Sequence, residues 1–306
     1  MTTIADKKIA GKTVVLTGAS RGIGETMARA FANQGATVVG VARSEAGLDR
    51  VCADIKANGG QAISIVFDLS DVGRLPHLVQ TIEQLAGPID ILINNAGVEI
   101  YRAFADYSLV DLQMVLNLNL LSAMELTRLV LPRMLARRSG HIVNMASIAS
   151  KRGHPYDSIY SASKAGLLMW SDALRQELAD TGVSISAICP GYVAGQGMLA
   201  DTGIPAPRLA GTSTPEAVAI AVLRAIERNQ AEVMVNQDWL TETLTRLVIA
   251  ISQFFPRFGD TVNRWLGVTQ LNQLRVQPAI PSNILIQPDQ DEQLFVPTAN
   301  GSRSNS

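Results

Sequence analysis

With 306 residues, a net charge of −1 and 17% charged side chains, the chain is long enough for one large α/β domain or two small ones, and it has no basic footprint for nucleic acid. Its two cysteines, Cys52 and Cys189, lie far apart without ligand-like spacing, and metal-site chemistry is not expected; a reduced, cytoplasmic protein is. The first eight residues are polar and lack a secretory apolar core, and no apolar run approaches the roughly 20 residues of a membrane span.

The first predicted element is a buried parallel strand at 13–17 that stops at glycine. It leads into Gly18, Ala19, Ser20, Arg21, Gly22, Ile23 and Gly24, then a helix over 25–34 with Met27, Ala30 and Phe31 on one face. A strand, a glycine turn and a helix make a phosphate site, because glycine lets the backbone approach and the helix N-terminus presents unpaired N–H groups. The second strand, 36–41, ends in Ala42, Arg43 and Ser44. NAD-selective sites carry an acid near this point for the ribose 2′-hydroxyl; Arg43 and Arg21 without an acid point to a 2′-phosphate and hence NADP(H).

The α/β rhythm continues with a helix at 46–58, a strand at 62–67 and a helix at 71–86. Asp68, just past the third strand, suits either an adenine amino group or a helix cap. A fourth strand at 89–93 runs into Asn94, Asn95, Ala96 and Gly97, small and amide residues fit for a crowded sheet edge. A long apolar-periodic helix at 109–137 carries Asn117 and Asn119 among leucines, and a buried Asn must find partners. Strand five (141–146) ends at Ser147, and strand six (183–189) at Pro190 and Gly191. The loop over 191–215 is expected to be a mobile cover over substrate. A helix opening at Thr214 and Pro215 and a seventh strand at 232–236 complete a doubly wound, mostly parallel seven-stranded sheet with helices on both faces.

Tyr160 and Lys164 lie four apart on a predicted helix over 157–180, so phenol and ammonium share a face. Bringing a phenol from pKa about 10 to about 7 requires roughly 4 kcal/mol. A cation about 4 Å away at an effective dielectric near 20 supplies an energy of that order, enough for proton transfer to or from a substrate oxygen.

Taken together, Thr17-Gly18, Gly22, Gly24, Asp68, Asn94 to Gly97, Asn119, Ser147, Tyr160, Lys164, Pro190 and Gly191 resemble, in order, the motifs of the short-chain dehydrogenase/reductases in their compact single-domain form. The resemblance spans about residues 12–236. It implies a catalytic tetrad: Ser147 polarising a carbonyl, Tyr160 as proton donor or acceptor, Lys164 binding the nicotinamide ribose and lowering the phenol pKa, and Asn119 holding a water. It likewise implies that Gly18, Ser20, Arg21, Gly22, Ile23, Gly24, Arg43, Asp68, Leu69, Asn95, Ala96, Gly97, Tyr160, Lys164, Pro190, Gly191 and Val193 hold NADP(H), and that no metal is needed. The family often has a threonine shortly after Pro-Gly that meets the carboxamide; residues 192–195 offer none. His77, His141 and His154 are expected to be structural or surface residues.

Beyond the domain over 1–236, an amphipathic helical extension over 237–270 carries Leu240, Leu244, Leu247, Val248, Ile251, Phe254 and Phe255 at helical spacing, with Arg246, Arg257 and Arg264 interspersed. Such a stripe either packs on the core, walling the pocket or a subunit contact, or lies on a membrane surface over 239–266. The polar tail from 271 is expected to be disordered. The function expected is carbonyl–alcohol interconversion on a lipophilic substrate such as a steroid, retinoid or long-chain aldehyde or ketone. The alternatives are a 3-oxoacyl carrier-type reductase and, outside enzymes, a non-catalytic NADP-binding sensor or scaffold. A homodimer or homotetramer is implied by resemblance.

Overall fold

The computed structural model describes residues 9–195, 197–207, 210, 212–236 and 238–276. In chain order the elements are β1 (Thr13–Thr17), α1 (Gly22–Asn33), β2 (Thr37–Ala42), α2 (Glu45–Ala57), β3 (Gln61–Val66), α3 (Leu75–Ala86) and β4 (Ile91–Asn94). There follow α4 (Leu109–Leu116), α5 (Ser122–Arg137), β5 (Gly140–Met145), α6 (Ser158–Glu177), β6 (Val183–Pro190), β7 (Tyr192–Val193), α7 (Met198–Asp201) and β8 (Thr212–Ser213). Next are α8 (Pro215–Arg228) and β9 (Glu232–Val235), and last α9 (Trp239–Phe254), α10 (Pro256–Trp265) and α11 (Val268–Leu274).

Seven strands form one parallel sheet in the order β3-β2-β1-β4-β5-β6-β9. Because both faces are covered, the central strands are near-continuous apolar runs: all five residues of β1 are buried. Successive side chains divide between two cores. Val14, Leu16, Ile91, Ile93, Val143 and Met145 pack with α1, α2 and α8, whereas Val15, Leu92 and Ile142 pack with α3, α5 and α6. The order reverses between β1 and β4, and the crevice at their C-terminal ends is the ligand position of such sheets.

Three predicted features differ. The helix expected over 109–137 is broken by a π-helical turn at Asn117–Leu121. Leu109–Arg137 as a whole is long and apolar enough to cross a membrane, contrary to the reading from apolar runs, but Val115, Leu118, Leu126, Val130 and Met134 of this stretch are buried in the protein. The loop after β6 holds the parallel β7–β8 pair and α7 rather than a structureless segment.

The extension folds back, but not by the stripe. Ile249 packs near Ala146, Leu168, Cys189 and Met234, and Ser252 is buried. Gly259 passes so close to the 148–155 segment that a Cβ there would lie 2.7 Å from the Arg152 guanidinium carbon; Arg152 also pairs with Asp260. Trp239, Leu240, Leu244, Leu247, Phe254, Phe255, Phe258 and Trp265 are exposed, so core packing does not account for them. A helix carries more than one apolar face here, and only the narrower one is covered. The tail expected to be disordered from 271 begins inside α11, with Asn272 and Arg275 buried; residues 277–306 lie outside the described residues, as do 1–8.

Candidate active site

The glycine turn is held from behind. Thr17 Oγ1 accepts from the N–H groups of Asn95 (2.9 Å) and Ala96 (3.0 Å), and Asn95 Nδ2 donates to the carbonyls of Thr17 (2.9 Å) and Gly18 (3.3 Å). Gly18 has φ +68° and Gly22 φ +57°, and a Cβ on Gly24 would lie 2.0 Å from the Gly18 oxygen. Only glycine fits Gly24 in this turn, and the turn presents backbone N–H groups at the start of α1, the cradle a pyrophosphate requires.

Every residue expected to hold the cofactor lines one cavity of about 680 Å³ at the sheet edge, together with Ser147. At one end Asp68 Oδ1 accepts from the N–H (2.9 Å) and hydroxyl (2.8 Å) of Ser70. Partial burial opposes ionisation of Asp68, but those bonds and the Arg43 charge outweigh it and leave the carboxyl below its ordinary pKa. Asp68 lines the cavity and braces its own turn through Ser70; it caps no helix, because Asp71 is the residue at the N-terminus of the helical turn that follows. Arg21 forms a 2.6 Å ion pair with Asp201 of α7, tying the glycine turn to the loop after β6.

At the other end, Lys164 is buried and its Nζ donates to the Met145 carbonyl at 2.7 Å. Burial lowers its pKa to about 8, against the raising influence of Glu99 and Cys189. Its ammonium lies 5.6 Å from the centre of the Tyr160 ring. The phenol, however, is not lowered: burial, then Glu99 and Asp157, push Tyr160 well above its ordinary value, and a hydrogen bond from Ser147 is the opposing influence. The lowering of the phenol expected from Lys164 is not seen here, where burial is the largest influence, followed by Glu99 and Asp157. Ser147 opens a short turn and its Oγ accepts from Ala149 N–H at 3.1 Å, which leaves its hydroxyl proton available as a donor.

Asn119 stands behind the cavity wall, in the π-helical turn. Its Oδ1 accepts from Val98 N–H (2.8 Å), and its Nδ2 donates to the Val98 carbonyl (2.9 Å) and Ser163 Oγ (3.1 Å). Both amide hydrogens are committed to bracing the segment after β4 against α6, so the side-chain N–H groups do not hold the expected water. A π turn at such a point is common at functional sites.

Sequence reasoning missed the substrate end. Glu99, Tyr101, His154 and Tyr192 line it. His154, expected to be structural or surface, stacks on Tyr192 with ring centres 6.1 Å apart, and burial followed by the Arg275 charge lowers its pKa to about 4, so it is neutral at pH 7. Burial pushes Tyr192 up to about 12. A carboxylate two residues beyond the Asn-Asn-Ala-Gly run was the one legible signal. Among the described residues no cluster of three or more potential metal ligands occurs.

These features define an α/β protein with a dinucleotide cradle and a Ser-Tyr-Lys site in a single crevice. The family model for short chain dehydrogenase matches residues 12–203, and the chain belongs to the short-chain dehydrogenase/reductase family. It is a nicotinamide-dependent oxidoreductase of the alcohol–carbonyl class. It is 55% identical over 269 residues to the ketoacyl reductase HetN of Nostoc sp., covering 88% of this chain and 94% of that one. A 3-oxoacyl-[acyl-carrier-protein] reductase of Synechocystis sp. is 37% identical over 187 residues, covering 61% of this chain and 76% of the relative. Among solved structures, a metagenomic short-chain oxidoreductase in complex with NADP superposes with a TM-score of 0.63 at 31% identity, covering 74% of this chain and 97% of that one.

Proposed function

We propose that the chain reduces a carbonyl to an alcohol with NADPH, and that a 3-oxoacyl thioester is its leading substrate class. The carrying observation is the convergence of Ser147, Tyr160 and Lys164 with the glycine cradle in one cavity. A nicotinamide bound there supplies hydride to the carbonyl carbon. Ser147 donates to the carbonyl oxygen, and Tyr160, kept protonated by its buried position, gives its phenolic proton to that oxygen as negative charge develops. Lys164, fixed on Met145, places a positive charge beside the ring that favours the phenolate after the proton has left.

Arg43, just after β2, supports NADPH over NADH, since the strand ends in Ala42 and Arg43 rather than in an acid that would hold a ribose 2′-hydroxyl. The polar lining of Glu99, Tyr101, His154 and Tyr192 favours a polar acyl group over the steroid or retinoid expected from the extension, as do relatives named ketoacyl and 3-oxoacyl reductases. The test is NADPH consumption by the full chain with carbonyls from acetoacetyl thioesters to long-chain aldehydes and steroids. Turnover of the thioester, lost in Tyr160→Phe, is the expected result; turnover of none of them sinks the reading and favours a sensor. Arg43→Ala is expected to raise the NADPH KM about tenfold or more while sparing NADH.

The exposed face of α9 and α10 supports a lipid surface as its occupant. Trp239 and Trp265 stand near its two ends and Arg246, Arg257 and Arg264 lie along it, the composition of an interfacial helix. Flotation of the full chain with anionic vesicles, abolished by replacing Trp239, Phe254 and Trp265 with Ser, is expected. A chain that stays in solution as a dimer or tetramer shielding this face rules it out.

A further inference from the structure

The C-terminal arm reaches the substrate end of the cavity through one side chain. Arg275, 3% exposed, follows α11. Its guanidinium donates to Asn272 Oδ1 (2.6 Å) and to the carbonyls of Pro205 (2.6 Å) and Ile204 (3.3 Å), and it lies 5.5 Å and 5.9 Å from the ring centres of Tyr101 and Tyr192. Asn272 in turn donates to the Pro155 carbonyl at 2.9 Å. One arginine thus joins the arm, the segment after α7 and two tyrosines that line the cavity.

Behind those tyrosines lies an acid pair. Asp157 is fully buried, and no N–H or hydroxyl donates to its carboxyl; its hydrogen-bond partner is Glu99. Two carboxyls bond to one another only with a proton between them, so the pair does not ionise fully while that bond lasts. Burial is the largest influence raising both carboxyls, and Arg275 acts against the rise on each, with Lys164 acting on Glu99 as well. The other titratable groups facing the cluster are Tyr101, Tyr107, Tyr160, Tyr192 and His154, all neutral at pH 7.

We propose that Arg275 is a positioning residue for the carbonyl substrate: it ties Ile204 and Pro205 to the arm and to Tyr101 and Tyr192 of the cavity wall, and it offsets negative charge on the Glu99–Asp157 pair as that pair ionises. The wall made by Glu99, Tyr101 and Tyr192 then keeps one geometry. An unbalanced buried charge would instead pull water or the segment after α7 inward. The extension is, on this reading, part of the active site and not an appendage. The kinetic arm of the proposal rests on the carbonyl-reductase reading; the structural arm does not.

The test uses the full chain with Arg275→Leu, Arg275→Lys and Glu99→Gln. Three quantities are read: KM and kcat for an acetoacetyl thioester from pH 6 to 9, NADPH affinity by fluorescence, and amide deuterium exchange over residues 198–206. Arg275→Leu is expected to raise the thioester KM about tenfold with NADPH affinity within about twofold, and to speed exchange over 198–206. Without the arginine charge the pair ionises at higher pH, so the alkaline limb of the KM profile moves up. Lysine restores the limb but not the slow exchange, since one ammonium does not span the Arg275 contacts. In the Glu99→Gln background Arg275→Leu no longer moves the limb. Unchanged KM, limb and exchange in Arg275→Leu overturn the proposal, as does a parallel loss of NADPH affinity. If the parent turns over no carbonyl, the functional reading fails, and exchange alone decides the role of Arg275.

Discussion

Asp157 stands at the N-terminus of α6 without capping it: no backbone N–H of the helix reaches its carboxyl, which is bonded to Glu99 instead. Ser108 and Thr214 do cap their helices, with side chains accepting from Asp111 and Ala217 N–H groups. A carboxyl raised on folding contributes stability fully present below its unfolded pKa and lost as pH rises through the folded one, so the pair weakens the fold toward alkaline pH. Asp157→Asn keeps a hydrogen-bond donor for an ionised Glu99 and removes the second acid. Its melting temperature is expected to exceed the parent's by about 2–4 °C at pH 8, for roughly 1 kcal/mol, and to match it near pH 4. Calorimetry across that range checks the sign.

Lys164 has the opposite linkage. Its pKa falls on folding to about 8, so holding it charged below that value opposes folding, and the opposition is relieved as pH rises from about 8 toward the unfolded value. Lys164→Met is therefore expected to abolish turnover while stabilising the fold at pH 7 by on the order of 1–2 kcal/mol, less the lost bond to Met145. The gain should vanish near pH 10. Urea denaturation at the two pH values reads it.

Asn119→Ala leaves the N–H and carbonyl of Val98 and the Ser163 hydroxyl without their partner. A loss of about 2–3 kcal/mol in denaturant unfolding is expected, with turnover falling because Val98 adjoins Glu99. Were Asn119 chiefly a water holder, turnover would fall with stability unchanged.

Gly24→Ala places a methyl against the Gly18 carbonyl. The turn must open, and NADPH affinity is expected to fall at least about tenfold. Gly73→Ala, in a site with no atom nearer than 3.8 Å to the added carbon, is the control and should bind normally.

Ser147→Ala removes the donor to the carbonyl oxygen while sparing the glycine cradle. The expected fall in kcat is about 10²–10³-fold with NADPH affinity unchanged, measured by steady-state kinetics and fluorescence titration.

The part of the site built from contiguous chemistry was legible. Glycines after an apolar run, Ser147 and Pro190 at strand ends, and a phenol and an amine one helical turn apart each carry their geometry in local spacing. A parallel sheet delivers all strand ends to one edge, so recognising the strands was enough to gather those residues. Asn119 was legible as a buried amide in need of partners, but not the π turn that aims it, because a one-residue insertion in a helix leaves the apolar period almost unchanged.

The substrate end was not legible. Asp157 has the sequence signature of a cap and acts as a buried acid; Arg275 sits in polar sequence that reads as tail. Glu99, Asp157 and Arg275 meet only because α9, α10 and α11 return across the 148–157 segment, a path set by Gly259 and Asn272 and by no local pattern. Sequence alone thus determined the sheet, the glycine turn and the gathering of Ser147, Tyr160 and Lys164 at the sheet edge, since their spacing is itself their geometry. The charge environment around Tyr160, the closure of the cavity and the apolar face left exposed on α9 were decided by tertiary packing, because burial and long-range charge do not exist until distant segments meet.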